Sequence, residues 1–207
     1  MSQNLAWFGM NPEPLLIVIS GPSGVGKDAV VQRLKERNPD FHFVVTANTR
    51  LPRPNEVHGV DYFFYSKEEF QRRIDAGEFF EYTQVYNDYK GIPRAQVVEA
   101  LDSGCDVVMR VDVQGAATVK KKVPSAILIF LTTASEEELV ERLRRRRTDS
   151  EQELEVRIET AHHEYQRMDQ FDYKVVNREG ELDKAVDDIH DIINAERHRV
   201  QQHKVSL

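Results

Sequence analysis

Hydrophobic residues recur along the chain in two patterns. Short runs rich in apolar residues, typical of buried parallel strands, stand at 15–20, 106–112, 126–131 and 173–177, and a further strand is predicted at 41–46. Between them lie amphipathic stretches with apolar residues every three or four positions, clearest in 182–200. Strands that alternate with helices in this way predict an α/β fold with a doubly wound parallel sheet.

Two stretches, 46–96 and 139–168, interrupt this alternation and are predicted to be inserts. The first holds further short strands, at 60–65 and around a turn near 87–88, and a helix that Ser66 and Glu69 would cap. It also holds a loop at 49–56 with two prolines and two arginines, which predicts ordered polar backbone. The second insert is a charged helical segment that contains four consecutive arginines.

The most informative local feature is the glycine-rich segment between the first strand and the first helix. Strand, glycine-rich loop, lysine and helix form a phosphate-binding loop, in which backbone N–H groups and the helix N-terminus surround an anion. The sequence therefore predicts a nucleoside triphosphate site. Its predicted residues are Gly21, Pro22, Ser23, Gly24, Val25, Gly26, Lys27 and Asp28.

Asp28 departs from the Ser or Thr that usually follows the loop lysine and binds Mg²⁺. A carboxylate is also a suitable Mg²⁺ ligand, directly or through water. The alternative is that Asp28 only stabilises the first turn of its helix. We favour the metal role, since this position faces the metal when such a loop holds a triphosphate.

The composition of the chain argues against several classes of function. The 207 residues carry a net charge of −7, which argues against a broad nucleic-acid surface. Cys105 is the only cysteine, so no internal disulfide forms, which fits a reducing cytoplasm. No apolar run reaches the length of a membrane span, and residues 1–14 lack the features of a secretory signal. They are expected to be a short extension, and both a monomer and a homodimer remain open.

Five motifs, in one order, resemble the guanylate kinase family. They read Gly-Pro-Ser-Gly-x-Gly-Lys, Thr-Arg-x-Pro-Arg, Gly-Val-Asp-Tyr-x-Phe, Gly-Glu-Phe-x-Glu and Val-Asp-Val-Gln-Gly. The resemblance implies a P-loop kinase that converts ATP and GMP to ADP and GDP with Mg²⁺. It also implies a division into a core with an N-terminal extension (1–45), a GMP-binding insert (46–96), core (97–138), a helical lid (139–168) and core (169–207).

The resemblance implies roles for individual residues. It places the GMP phosphate and base on one set of side chains, which comprises Thr46, Arg50, Arg53, Tyr62, Glu81, Lys90 and Asp112. It assigns catalysis to a set of cations, namely Lys27, Arg50, Arg142, Arg146 and Arg157. Asn177 matches the family position that lies beside the adenine ring of ATP. Two guanidinium groups on one stiff loop suit a phosphate dianion, and a buried carboxylate suits the adjacent N–H donors of guanine.

Three departures from the family pattern bear on the acceptor and the metal. Lys90 and Ile92 replace an aromatic and a hydroxyl residue, and Arg147 replaces a lid glycine. Arg110 stands where the family often has Asp, so it pairs with Asp28, pairs with Asp112 or binds a phosphate. Two alternative functions therefore remain: a kinase of another phosphate ester such as ribose 1,5-bisphosphate, and a non-catalytic guanylate-kinase-like binding module.

Overall fold

A computed structural model describes residues 13–54, 56–85, 87–145, 151–201 and 204–207. Its strands are β1 (Leu16–Ser20), β2 (His42–Phe43), β3 (Ala47–Asn48), β4 (Phe63–Phe64), β5 (Phe79–Val85), β6 (Asp88–Pro93), β7 (Val107–Arg110), β8 (Ile127–Thr132) and β9 (Tyr173–Val176). Its helices are α1 (Lys27–Arg37), α2 (Lys67–Asp75), α3 (Arg94–Asp102), α4 (Val113–Lys122), α5 (Glu136–Arg144), α6 (Glu151–Tyr165) and α7 (Leu182–Arg197).

The larger sheet has five parallel strands in the order β2-β7-β1-β8-β9. Strand β1 lies at its centre, and its side chains alternate between two cores. Ile17 and Ile19 pack with α1, α5 and α7 on one face, while Leu16 and Val18 pack with α3 and α4 on the other. Burial on both faces explains the unbroken apolar run, and the predicted doubly wound fold is confirmed.

A second sheet, β4-β3-β6-β5, is built from residues within the first predicted insert. It packs against α2 through a small aromatic core in which the rings of Phe70 and Phe79 stack 4.3 Å apart. The backbone N–H of Glu69 donates to Ser66 Oγ at 3.1 Å, which confirms Ser66 as the cap of α2.

Two predicted strands are shorter than their apolar pattern suggested. The strand expected at 41–46 ends as β2 at Phe43, because the chain then leaves β7 to enter the second sheet as β3. The strand expected at 60–65 is reduced to β4, because the N–H groups of Val60 and Asp61 both turn back to the carbonyl of Val57.

In the part of the chain that the structure describes, no helix has both the length and the apolar character needed to cross a membrane. The predicted N-terminal extension up to residue 12 and the lid residues Arg146 and Arg147 lie outside the described residues.

Candidate active site

The loop between β1 and α1 has the backbone that its glycines predict. Gly21, Gly24 and Gly26 have φ values of +138°, +94° and +89°, in the region that side chains disfavour. A Cβ on Gly21 would lie 2.1 Å from the carbonyl oxygen of Leu131 on β8, so the loop and the sheet edge require glycine there. The loop ends in α1, and no side chain caps the N-terminus of this helix, so its first N–H groups remain available to an anion.

Lys27 is held inside this loop. Its ammonium group donates to the carbonyl oxygen of Pro22 at 2.8 Å and to that of Gly21. Although part of the residue reaches solvent, desolvation of the enclosed ammonium lowers the pKa of Lys27 to about 8, against the raising effect of the Glu164 carboxylate. Burying this cation in the loop costs desolvation free energy, which a bound anion would offset.

One cleft of about 280 Å³ brings the loop and the insert together. Many of the predicted site residues line it: Ser23, Gly24, Gly26, Lys27, Asp28, Thr46, Arg50, Arg53, Tyr62, Lys90, Asp112 and Arg157. Arg110, whose role the sequence left open, also lines it, and so do five residues that sequence reasoning did not select: Asn48, Asp88, Val111, Thr160 and Glu164. The cleft therefore joins loop, core and insert residues from distant parts of the chain.

Three buried oxygen atoms in or beside the cleft have no hydrogen-bond partner among the described residues, and one of them belongs to Glu81, which is not among the residues that line the cleft. They are Oε1 of Glu81, Oδ2 of Asp112 and Oγ1 of Thr46. Glu81 is only 2% exposed, and its Oε1 lies 2.8 Å from where a Cβ of Gly115 would stand. Buried acceptors without donors cost free energy, so this wall is suited to a ligand that supplies N–H groups.

Burial and, to a smaller extent, the neighbouring Asp112 carboxylate raise the pKa of Glu81 to about 8, against the opposing charge of Lys122. Asp112 itself caps α4, because its Oδ1 accepts the N–H of Gly115 at 2.9 Å. Only Oδ1 of Asp112 is used in the cap, and Oδ2 is one of the three buried oxygen atoms without a hydrogen-bond partner.

The arginine-proline loop presents Arg50 in a fixed orientation. Arg50 makes two hydrogen bonds of 2.6 Å to Glu56, and its guanidinium carbon lies 5.0 Å from the centre of the Tyr62 ring. The hydrogen bonds from Arg50 lower the pKa of Glu56 to about 2. Sequence reasoning missed Glu56, which also accepts the N–H of Arg53 at 2.7 Å and so ties both arginines into one turn.

Asp28 is paired with Arg110, which settles one alternative left open by the sequence. Arg110 Nη1 donates to Asp28 Oδ1 at 2.6 Å. The side chain of Asp28 is 60% exposed and lines the cleft. Mg²⁺ usually takes only one or two carboxylates and completes its shell with water and phosphate oxygens, so a single accessible carboxylate beside a phosphate loop fits this ion.

Two predicted residues lie behind the loop instead of in the cleft. The amide of Asn177 donates to the carbonyl oxygen of Val25 at 2.8 Å, and Arg142 reaches the same oxygen at 3.3 Å. Arg142 also donates to the carbonyl oxygen of Asn177 at 2.9 Å. Both side chains brace the phosphate loop, and the catalytic role of Arg142 and the adenine role of Asn177 stay predictions.

Helix α6 contributes one face to the cleft through Arg157, Thr160 and Glu164. The spacing of three and four residues places them on one side of the helix, and this periodicity is the signal that would have found Glu164. Burial raises the pKa of Glu164, while Lys27 and the backbone N–H of Ser23 favour its charged form. A carboxylate of the lid segment thus contacts the anion-binding loop itself.

A parallel five-stranded sheet with a phosphate loop at its central strand defines a P-loop kinase fold. A sequence profile of the guanylate kinase family matches residues 13–196. The chain is 51% identical over 197 residues to "Guanylate kinase 2, chloroplastic/mitochondrial" of Oryza sativa subsp. japonica, a match that covers 95% of this chain and 69% of the relative. It is 43% identical to a guanylate kinase of Caldanaerobacter subterraneus subsp. tengcongensis, with 95% of each chain covered.

A crystal structure of guanylate kinase from Anaplasma phagocytophilum superposes with a TM-score of 0.76 at 29% identity, covering 92% of this chain and 89% of that one. The chain belongs to the guanylate kinase family, as the five motifs predicted.

Proposed function

We propose that this protein transfers the γ-phosphoryl group of ATP to GMP or dGMP and releases ADP and GDP or dGDP, a reaction of purine nucleotide metabolism. The main observation behind this proposal is that Glu81 and Asp112 each have a buried oxygen atom without a hydrogen-bond partner. Both atoms lie close to the cleft that residues of the phosphate loop line. The curated relatives bear the name guanylate kinase, which supports the same reaction.

Guanine suits this wall because its N1–H and 2-amino groups are adjacent donors that one carboxylate accepts together. Adenine presents an acceptor at N1 and has no 2-amino group, so it would leave the buried Glu81 unpartnered. Leaving a buried polar group unpaired costs about 1–3 kcal/mol, which favours GMP over AMP by about one to two orders of magnitude. The hydroxyl of Thr46 is available to donate to the guanine O6 atom.

The acceptor phosphate is assigned to Arg50, Arg53, Tyr62 and Lys90, which line the cleft. Forked guanidinium donors match a phosphate dianion, and Glu56 holds Arg50 ready in one orientation. Since the acceptor is already an anion, no general base is required, and catalysis consists of alignment and charge stabilisation.

The donor side is assigned to the backbone N–H groups of the loop and to Lys27, with Arg142 and Asn177 bracing the loop from behind. We assign residues 46–96 to GMP binding and 139–168 to a lid, in which Arg157 and Arg146 close over the transferring group. Closure of such a lid excludes water, which would otherwise accept the phosphoryl group.

Asp28 would hold the Mg²⁺ that accompanies ATP, directly or through water. When bound, the ion neutralises charge on the β- and γ-phosphates. We expect Asp28→Ala to raise the Mg²⁺ concentration needed for half-maximal activity and to weaken Mg²⁺-dependent ATP binding in calorimetry. An unchanged requirement in both measurements would leave Asp28 as a residue of the helix first turn only.

The proposal is tested by coupling ADP release to a spectrophotometric readout with four acceptors: GMP, dGMP, AMP and ribose 1,5-bisphosphate. We expect turnover with GMP and dGMP, and much weaker turnover with AMP. Turnover with the sugar phosphate but not with GMP would refute the proposal. Binding of GMP without ADP release would point to a binding module.

Cytoplasmic location and oligomeric state stay predictions from the sequence. The name of the rice relative refers to chloroplasts and mitochondria, so relatives of this chain serve more than one compartment.

A further inference from the structure

Arg110 lies between the donor side and the acceptor side of the cleft. It ends strand β7, next to β1 and its phosphate loop in the sheet. Its Nη1 donates to Asp28 on the loop helix at 2.6 Å, and its guanidinium carbon lies 4.9 Å from the centre of the Tyr62 ring in the insert. One side chain thus contacts a residue of the predicted ATP site and a residue of the predicted GMP site.

The position of this guanidinium is fixed from three directions. The backbone of Arg110 belongs to the central sheet, its guanidinium carbon lies over the ring of Tyr62, and an ion pair holds one of its nitrogens. Only 18% of its side chain is exposed. A preorganised cation in a mostly buried cleft stabilises developing negative charge far better than a mobile surface cation does.

Arg110 also has donor capacity left for a ligand. A guanidinium carries five N–H donors along its edge, and one hydrogen bond from these donors, to Asp28, is observed. Asp28 takes a bond from Nη1, whereas the alternative partner Asp112 uses Oδ1 for the α4 cap. The remaining edge is suited to oxygen atoms of a phosphoryl group.

The surrounding charges indicate an anion at this point. Arg50 lies against the same Tyr62 ring, 5.0 Å from its centre. Burial lowers the pKa of Lys90, and the charge of Arg110 adds to this effect, with Asp112 opposing it. Although Glu56 and Asp28 pair with Arg50 and Arg110, the residues that line the cleft comprise six cations and four carboxylates, so a phosphoryl group there would offset the excess positive charge.

We propose that Arg110 is a further catalytic residue, which donates to the phosphoryl group while it passes between ATP and GMP. This proposal rests on the proposed function. In the step, an oxygen of the GMP phosphate forms a bond to the γ-phosphorus as the bond to the β–γ bridging oxygen breaks. The electron pair leaves with ADP and no proton is transferred, so the enzyme stabilises charge on the three equatorial oxygens of the phosphoryl group.

The test measures kcat and the KM values for ATP and GMP in Arg110→Gln, Arg110→Lys and the wild-type protein over a range of Mg²⁺ concentrations up to saturation. We expect Arg110→Gln to lower kcat by about 100-fold or more, with the KM values for ATP and GMP changed by less than about threefold. Arg110→Lys keeps a cation but loses the planar fork, and we expect a loss of about tenfold in kcat. The matched control is Arg72→Gln, an exposed arginine paired with Glu69 on α2, which should leave kcat unchanged.

If Arg110 acted only by holding Asp28 in place, the results would be different. In that case the kcat of Arg110→Gln should return to the wild-type value when the Mg²⁺ concentration is raised, as expected for Asp28→Ala. This result would overturn the proposal. The proposal instead predicts that added guanidinium ion partly restores the kcat of Arg110→Ala. Failure of that rescue in a variant whose melting temperature equals the wild-type value would also overturn it.

The outcomes separate this inference from the proposed function. Wild-type protein that turns over GMP together with Arg110→Gln of equal kcat would refute only the role of Arg110. Wild-type protein that fails to turn over GMP would refute the proposed function itself.

Discussion

GMP binding should release a proton from Glu81. Burial and the Asp112 carboxylate raise the pKa of Glu81 to about 8, so about 0.9 of the molecules carry the proton at pH 7 before the nucleotide binds. The guanine N1–H and 2-amino groups require the ionised carboxylate. The proton must therefore leave when guanine enters.

The magnitude follows from the pKa. Removing this proton costs about 1.4 kcal/mol at pH 7 and about 0.4 kcal/mol at pH 8, so the Kd of GMP should fall about fivefold between these values. Isothermal titration calorimetry in buffers of different ionisation enthalpy counts the released protons directly. We expect close to one proton per GMP at pH 7.

Glu81→Gln is the control, because the amide does not titrate. The GMP phosphate, with a second pKa of about 6, contributes only about 0.1 proton in either protein when the arginines bind it. In the variant, proton release should therefore fall to about this value, GMP should bind more weakly, and ATP binding should be unchanged. Equal proton release in both proteins, or equal loss of GMP and ATP binding, would refute the reasoning.

The same shift has a consequence for stability. A folded-state pKa above the ordinary value of 4.5 means that the folded protein holds the proton longer than the unfolded chain does. Without GMP, the free energy of unfolding should fall for the wild-type protein relative to Glu81→Gln as the pH rises from 6 to 8. Thermal melts across this range check the sign, and parallel curves would contradict it.

Two substitutions should separate the acceptor and donor halves of the site. Gly115→Ala would place a Cβ 2.8 Å from Oε1 of Glu81, so the KM for GMP should rise about tenfold or more while calorimetric ATP binding stays unchanged. An equal effect on both nucleotides would show a general disturbance. Glu164→Gln removes a carboxylate that competes with the triphosphate for the loop around Lys27, so ATP should bind severalfold more tightly. Glu159→Gln, on an exposed face of the same helix, is its control, and weaker ATP binding in Glu164→Gln would contradict the assignment.

The features that were predictable from the sequence depend on neighbours in the chain. The three glycines before Lys27 require a turn that only glycine adopts, and Ser66 caps α2 through a residue three positions away. The apolar runs predicted parallel strands because both faces of such a sheet are buried. Strand length was less predictable, since β2 ends where the chain passes to the second sheet, and β4 begins only after the turn that the carbonyl of Val57 closes.

Some site residues were likewise predictable from the sequence, whereas their partners in the folded chain were not. Ordered motifs pointed to Arg50, Tyr62 and Glu81, but nothing in the local sequence showed that Glu56 would hold Arg50. Arg142 was expected to take part in catalysis, and its contact with the carbonyl oxygen of Val25 in the phosphate loop could not be predicted from the sequence; its catalytic role stays a prediction. Arg142 and Val25 lie 117 positions apart, and Glu56 follows Arg50 by six positions in an irregular loop, so neither a helical nor a strand period relates the members of either pair.

The amino-acid sequence alone determined the phosphate loop, the parallel sheet and the family, because each depends on short-range pattern or on the order of motifs. Only the tertiary structure decided which charges meet. It paired Arg110 with Asp28 across 82 positions of the chain and buried Glu81 beside Asp112, where low polarity and a like charge raise its pKa. Electrostatic interactions depend on distance and burial in space, and the folded chain sets both.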